Sequence, residues 1–208
     1  MPLKDKLPNQ LLFLAFTAAE EILGRNGVNA VLNYARIANY IGNYPPNTLD
    51  LGSPSSDFSR FVSGMVELLG EKGARSIMLQ AGLRGFEIMN RDMPGLFHLE
   101  GVEVQGGSPD KLFDEYVRIQ TIISEAGEQI FGEDIFKHYT DDEAWSFEIS
   151  PCHWCTGLKT VEPICHGYTG FVLGVARWIL GKDARVEETR CIAKGDPMCR
   201  FVTYRPKG

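Results

Sequence analysis

At 208 residues, with 44% hydrophobic and 23% charged residues, the chain can bury a sizeable core and has the composition of a folded protein. A formal net charge of −6, with no run of Lys or Arg, argues against a nucleic-acid surface. Nothing approaches the roughly 20 apolar residues of a membrane-spanning helix, so a cytoplasmic protein with no membrane span is expected.

Pro8 suits a helix start, and Leu11, Leu12, Ala15, Ala18, Ile22 and Leu23 recur at helical spacing until Gly24 and Gly27. Glu20 and Glu21 interrupt this apolar stretch and no cleavage-like segment follows, which reads as an amphipathic helix rather than a signal peptide. Asn29 can cap a second helix carrying Val31, Leu32, Ala35, Ala38 and Ile41, stopped by Gly42. Residues 43–56 read as a loop. Asp57 opens a helix with Phe58, Phe61, Val62, Met65, Leu68 and Leu69, and the following segment to Met89 keeps a helical pattern despite Gly73, Gly82 and Gly85. Those glycines point to tight helix packing or to room for a ligand. A long helix is expected from about Pro109 to Gly132.

The texture then changes. "DIFKHYTD" and "EAWSFEIS" read as two short strands around an acidic turn. Pro163 opens a helix with Tyr168, Phe171, Val172, Val175 and Ile179 along one face, ended by Gly181. "ARVEETRCI" and "CRFVTYR" form a strand pair around "AKGDPM". The expected fold is α+β: a single domain over residues 1–208, mainly helical over 1–133, with a strand–helix–hairpin part over 134–208. The sheet is small, antiparallel and mostly C-terminal.

All five cysteines lie in the last third: Cys152, Cys155, Cys165, Cys191 and Cys199. An odd, clustered set suits metal binding in a reducing compartment better than a disulfide framework. In the last hairpin Cys191 and Cys199 fall roughly opposite one another, Glu188 precedes them, and Cys165 starts the preceding helix. Three thiolates and one carboxylate make a closed tetrahedral shell that zinc accepts. The competing reading is reduced, packed cysteines with Glu188 in solvent. Residues three apart on an ideal strand point to opposite faces, so a shared metal requires a bulge near Thr189–Arg190. Cys152-His153-Trp154-Cys155 is a second thiol site, open to three readings: a metal pair, a redox dithiol, or reduced cysteines beside a packed Trp154. His153 and His166 read as metal ligands or as hydrogen-bonded histidines.

Residues from about Ser146 to Thr203 resemble the 4-vinyl reductase domain family. The resemblance rests on "PICHGYTGFVLG" at 163–174 and "VEETRCIAKGDPMCRF" at 186–201. It implies a fold related to the small subunits of the TRAPP vesicle-trafficking complex and to the sensor domain of phenol-responsive activators. It also implies a structural zinc, held by Cys165, Glu188, Cys191 and Cys199, and a small-molecule-binding role. Cys152 and Cys155 lie outside that shell. A buried apolar cavity is the expected ligand site, with Phe147, Tyr168 and Phe171 as lining aromatics and His138 and Trp145 as polar contacts. Trp154 and Trp178 belong to the same run of aromatics. No catalytic residue is assigned, because the chain has no Gly-x-Gly-x-x-Gly fingerprint and no triad-like arrangement stands out. A tetrapyrrole vinyl reductase or accessory protein in (bacterio)chlorophyll synthesis is the alternative, and an assembly subunit a further one. The apolar N-terminal helices suggest a homodimer.

Overall fold

Glycine breaks both long helices of the N-terminal half of this computed structural model, which describes residues 4–104 and 106–206. Helix α1 (Asn9–Tyr34) bends at Gly24, where φ is 70° and ψ 164°. Helix α2 (Ser56–Asp92) bends at Gly70, where the same angles are 69° and 164°. That backbone region is essentially reserved for glycine. The break expected after Leu23 is therefore real, but the helix resumes at once instead of restarting from an Asn29 cap. It also stops short of Ile41. Arg36 turns left-handed at φ 57°, and the Ile37 amide returns to the Leu32 carbonyl at 3.0 Å, a Schellman closure. A 3₁₀ turn at Ala38–Tyr40 follows.

The segment expected as loop, 43–56, contains strand β2 (Leu51–Pro54), which pairs antiparallel with a short β1 (Lys6–Pro8). Neither strand has the length or alternation that identifies a strand in sequence. Helix α3 (Pro109–Phe131) begins as expected: Pro109 takes the first helical position, and the Ser108 hydroxyl accepts from the Lys111 amide. Strands β3 (Phe136–Thr140), β4 (Ala144–Ile149), β5 (Val186–Arg190) and β6 (Cys199–Tyr204) form an antiparallel sheet in the order β3-β4-β6-β5. Helix α4 (His166–Leu180) connects its two hairpins. The fold is α+β: four helices with two small antiparallel sheets.

The apolar face of α1, including Leu12, Phe16, Val31 and Leu32, is buried with Phe61, Val62 and Met65 of α2 in one core. The faces that suggested a dimer are thus covered within the chain. Helices α2 and α4 cross at glycines. A methyl group on Gly170 would overlap the Leu79 carbonyl and lie 3.0 Å from the Gly82 Cα. Glycine on both sides lets the two backbones touch. Helix α3 reaches the sheet through polar atoms: buried Tyr116 shares a 2.7 Å hydrogen bond with Thr203 on β6 and accepts one at 2.8 Å from Gln120. Among the described residues no helix is long and apolar enough to cross a membrane.

Candidate metal centre and apolar cavity

All five cysteines are free thiols with no exposed surface. They converge from three places: the Cys152–Cys155 turn, the N-terminal end of α4, and the β5–β6 hairpin. The turn is closed by the Thr156 amide and hydroxyl, both donating to the Cys152 carbonyl. It is tied to the hairpin by the Thr160 amide, 2.9 Å from the Ala193 carbonyl. In the hairpin, the amides of Lys194 and Asp196 return to the Cys191 carbonyl at 3.0 and 3.2 Å. The Asp196 carboxylate accepts from the Cys191 amide at 2.8 Å. The Ile192 amide points at the Cys199 sulfur at 3.3 Å, which favours a thiolate there.

Two sets of four donor atoms lie within 4.8 Å of one another: Cys152, Cys155, Cys165 and Cys199, and Cys165, Glu188, Cys191 and Cys199. The second set is the group read from the sequence. The irregularity it required is present, since the β5–β6 register shifts between Glu188 and Arg190. Glu188 Oε2 accepts from the Cys165 amide at 2.9 Å. Its Oε1 is buried with no hydrogen-bond partner. Burial, together with the adjacent Cys191, pushes this carboxyl up to about 10, the response of an acid held away from water without a cation. Cys152 and Cys155, expected as a separate pair, join the same cluster: Cys152 lies 3.7 Å from Cys165, and Cys155 3.4 Å from Cys199.

Beside the cluster is an apolar cavity of about 100 Å³. Trp145 and Phe147 of β4 and Tyr168 and Phe171 of α4 line it, as expected from the sequence. Phe147 packs against Phe201 at 5.0 Å and Tyr168 at 5.6 Å, one continuous aromatic wall. Two expectations fail. His138 is exposed on the edge strand β3 and does not line the cavity. Trp178 packs on Phe86 on the far side of α4, outside the cavity. The histidine in the wall is His153, stacked on Phe131 at 4.2 Å. Burial holds its imidazole down to about 3, so it is neutral at ordinary pH. Its Nδ1 and the Trp145 Nε1 are both buried without a hydrogen-bond partner. The sequence pattern also does not reveal Gln120 and Ser124 of α3, which add polar atoms to the lining.

A fold that closes a small apolar cavity against a thiol cluster defines a class before any comparison is made. Residues 145–204 match the model of the 4-vinyl reductase domain, and through that segment the chain belongs to the 4-vinyl reductase domain family. A stretch of 54 residues is 37% identical to an uncharacterized protein of Methanocaldococcus jannaschii, covering 26% of this chain and 30% of that protein. The chain thus spans under a third of that relative's length. Over nearly its whole length it is similar in fold to an H-NOX protein from S. oneidensis solved in the Fe(II)NO ligation state. There the TM-score is 0.59 and the identity 10%, over 93% of this chain and 98% of that one. The phenol-responsive sensory domain of the transcription activator PoxR aligns with a TM-score of 0.45 at 16% identity, over 85% of this chain and 89% of that one.

Proposed function

We propose that this chain is a ligand-binding domain whose cavity takes a compact molecule of about one aromatic ring bearing a single polar group. A structural zinc beside the cavity holds its wall in place. The observation that carries the reading is the pair of orphaned polar atoms, Trp145 Nε1 and His153 Nδ1, in an otherwise apolar, aromatic-lined cavity. Buried donors and acceptors without partners are rare in folded proteins. A ligand hydroxyl reaching one of them would supply the missing bond. The volume of about 100 Å³ fits that scale, since an engineered cavity of roughly 150 Å³ binds benzene. It lies well below the roughly 300–1,000 Å³ of pockets for larger ligands. A tetrapyrrole, and with it the vinyl-reductase reading, does not fit a cavity of this size.

The zinc ligands would be Cys165, Glu188, Cys191 and Cys199. The unpartnered Glu188 Oε1 supports a cation there, and the donor set is one that zinc accepts as a closed structural shell. Zinc bound there adds stability that depends on the folded positions of helix tip and hairpin.

The test is calorimetric titration with phenol and with benzene, on the native chain and on Trp145→Phe. Phenol should bind more tightly than benzene. The substitution should weaken phenol about tenfold, the scale of one hydrogen bond of about 1–1.5 kcal/mol, and leave benzene unchanged. Equal affinities for both probes, or no binding of either, would overturn the reading.

A further inference from the structure

The cluster holds six donors, five thiols and the Glu188 carboxylate, and they divide into two groups of four that share Cys165 and Cys199. Six ligands with two of them shared is the count for two four-coordinate ions. The spacing agrees. Around one zinc at a Zn–S distance of about 2.3 Å, the sulfurs of a tetrahedron lie about 3.8 Å apart. Cys152 is 3.7 Å from Cys165, and the shared pair Cys165–Cys199 is 3.8 Å apart. Sulfurs this close leave no space for inorganic sulfide between them. A thiolate sulfur has lone pairs enough to bridge two ions.

We propose that the chain binds two zinc ions in one thiolate cluster: the first held by Cys165, Glu188, Cys191 and Cys199, the second by Cys152, Cys155, Cys165 and Cys199, with Cys165 and Cys199 bridging. A single ion cannot use every donor. Placed in the all-cysteine group, it leaves the buried Oε1 of Glu188 unanswered. Placed in the other group, it leaves Cys152 and Cys155 as protonated thiols against metal-bound sulfurs, in a turn already shaped to present both. With two ions, six anionic donors face two dications, and the cluster carries two negative charges instead of the four that all six would carry around one ion. Occupying the second site displaces the protons of Cys152 and Cys155 to solvent, with no redox change.

The reading rests on the first zinc site, and the experiment separates the two. The reduced, metal-free full-length chain is titrated with Zn²⁺ against a chromophoric chelator, and the zinc content of the chain purified without chelators is measured by mass spectrometry. Two zinc per chain are expected. One per chain overturns the two-ion cluster and leaves the single structural zinc; none overturns both. In parallel, the native chain loaded with ¹¹³Cd should give two resonances from different donor sets. The Cys152→Ser/Cys155→Ser variant should give one, from the site containing Glu188. One resonance from the native chain overturns the proposal whether or not the variant folds.

Discussion

Two glycines three residues apart on α2 should respond in opposite directions to the same added methyl group. At Gly82 the new Cβ would overlap the Gly167 carbonyl and lie 2.8 Å from the Phe171 amide nitrogen, both backbone atoms of α4. Backbone cannot rotate aside as a side chain does, so the helices must part. Overpacking of this kind costs about 1–3 kcal/mol, and the helix-propensity gain of about 1 kcal/mol for Gly to Ala offsets only part of it. At Gly85 the nearest atom to the new Cβ is Leu14 Cγ, an ordinary contact at 3.9 Å. There the propensity gain stands alone, and Gly85→Ala should stabilise by about 0.5–1 kcal/mol. For a chain of this size 1 kcal/mol moves the melting temperature by about 2–4 °C. Gly82→Ala should therefore melt several degrees below the native protein and Gly85→Ala a few degrees above it, with urea slopes unchanged. Both glycines line the cavity, and a methyl on Gly85 occupies volume a ligand needs. The more stable variant should accordingly be the weaker phenol binder. A shift of both variants in the same direction would refute the packing argument; a stabilised Gly85→Ala with undiminished phenol affinity would refute the cavity.

Tyr116→Phe should cost about 1–3 kcal/mol in urea unfolding, because it leaves Thr203 and Gln120 without their shared buried partner. Cys199→Ser removes a donor common to both groups, so it should lose more zinc and more thermal stability than Cys152→Ser, as metal analysis and calorimetric melting will show. Saturating phenol should slow zinc extraction by a chelator, and zinc removal should weaken phenol binding by the same equilibrium factor; unequal factors would mean the two sites do not act through one linkage.

The metal centre is far more legible in the sequence than the cavity, for a physical reason. Its donors are chemically distinctive, and Cys165, Glu188, Cys191 and Cys199 sit on regular elements whose geometry fixes their reach. Even the required bulge follows from the two-residue period of a strand. Cys152 and Cys155 lie on a loop, and what brings them to the cluster is tertiary: the Thr160 amide bound to Ala193 in the hairpin. No periodicity reports that. The cavity draws Leu14, Phe61, Met65 and Gln120 from three helices far apart in the chain. An apolar residue facing a void has the same sequence pattern as one facing a neighbour. His138 takes the place of His153 in the sequence pattern on the same account, because alternation along a strand does not tell an edge strand from a covered one.

The cluster and the cavity are built from the same short segments. In Cys152-His153-Trp154-Cys155 the two thiols face the cluster, and the two residues between them line the cavity. At the start of α4, Cys165 belongs to the cluster, while Gly167 and Tyr168 belong to the wall. A methyl on Gly167 would lie 2.6 Å from Trp154 Cζ3, so the indole rests directly on the helix backbone. On β6, Cys199 and Phe201 share a face by the period of a strand, and Phe201 stacks on Phe147 behind the cavity. An ion that fixes the sulfurs therefore fixes His153, Trp154 and Tyr168 within one to three residues of its ligands. A close-packed wall transmits such a constraint because it has few alternative arrangements. The metal thus acts on ligand affinity through position alone, with no contact between ion and ligand.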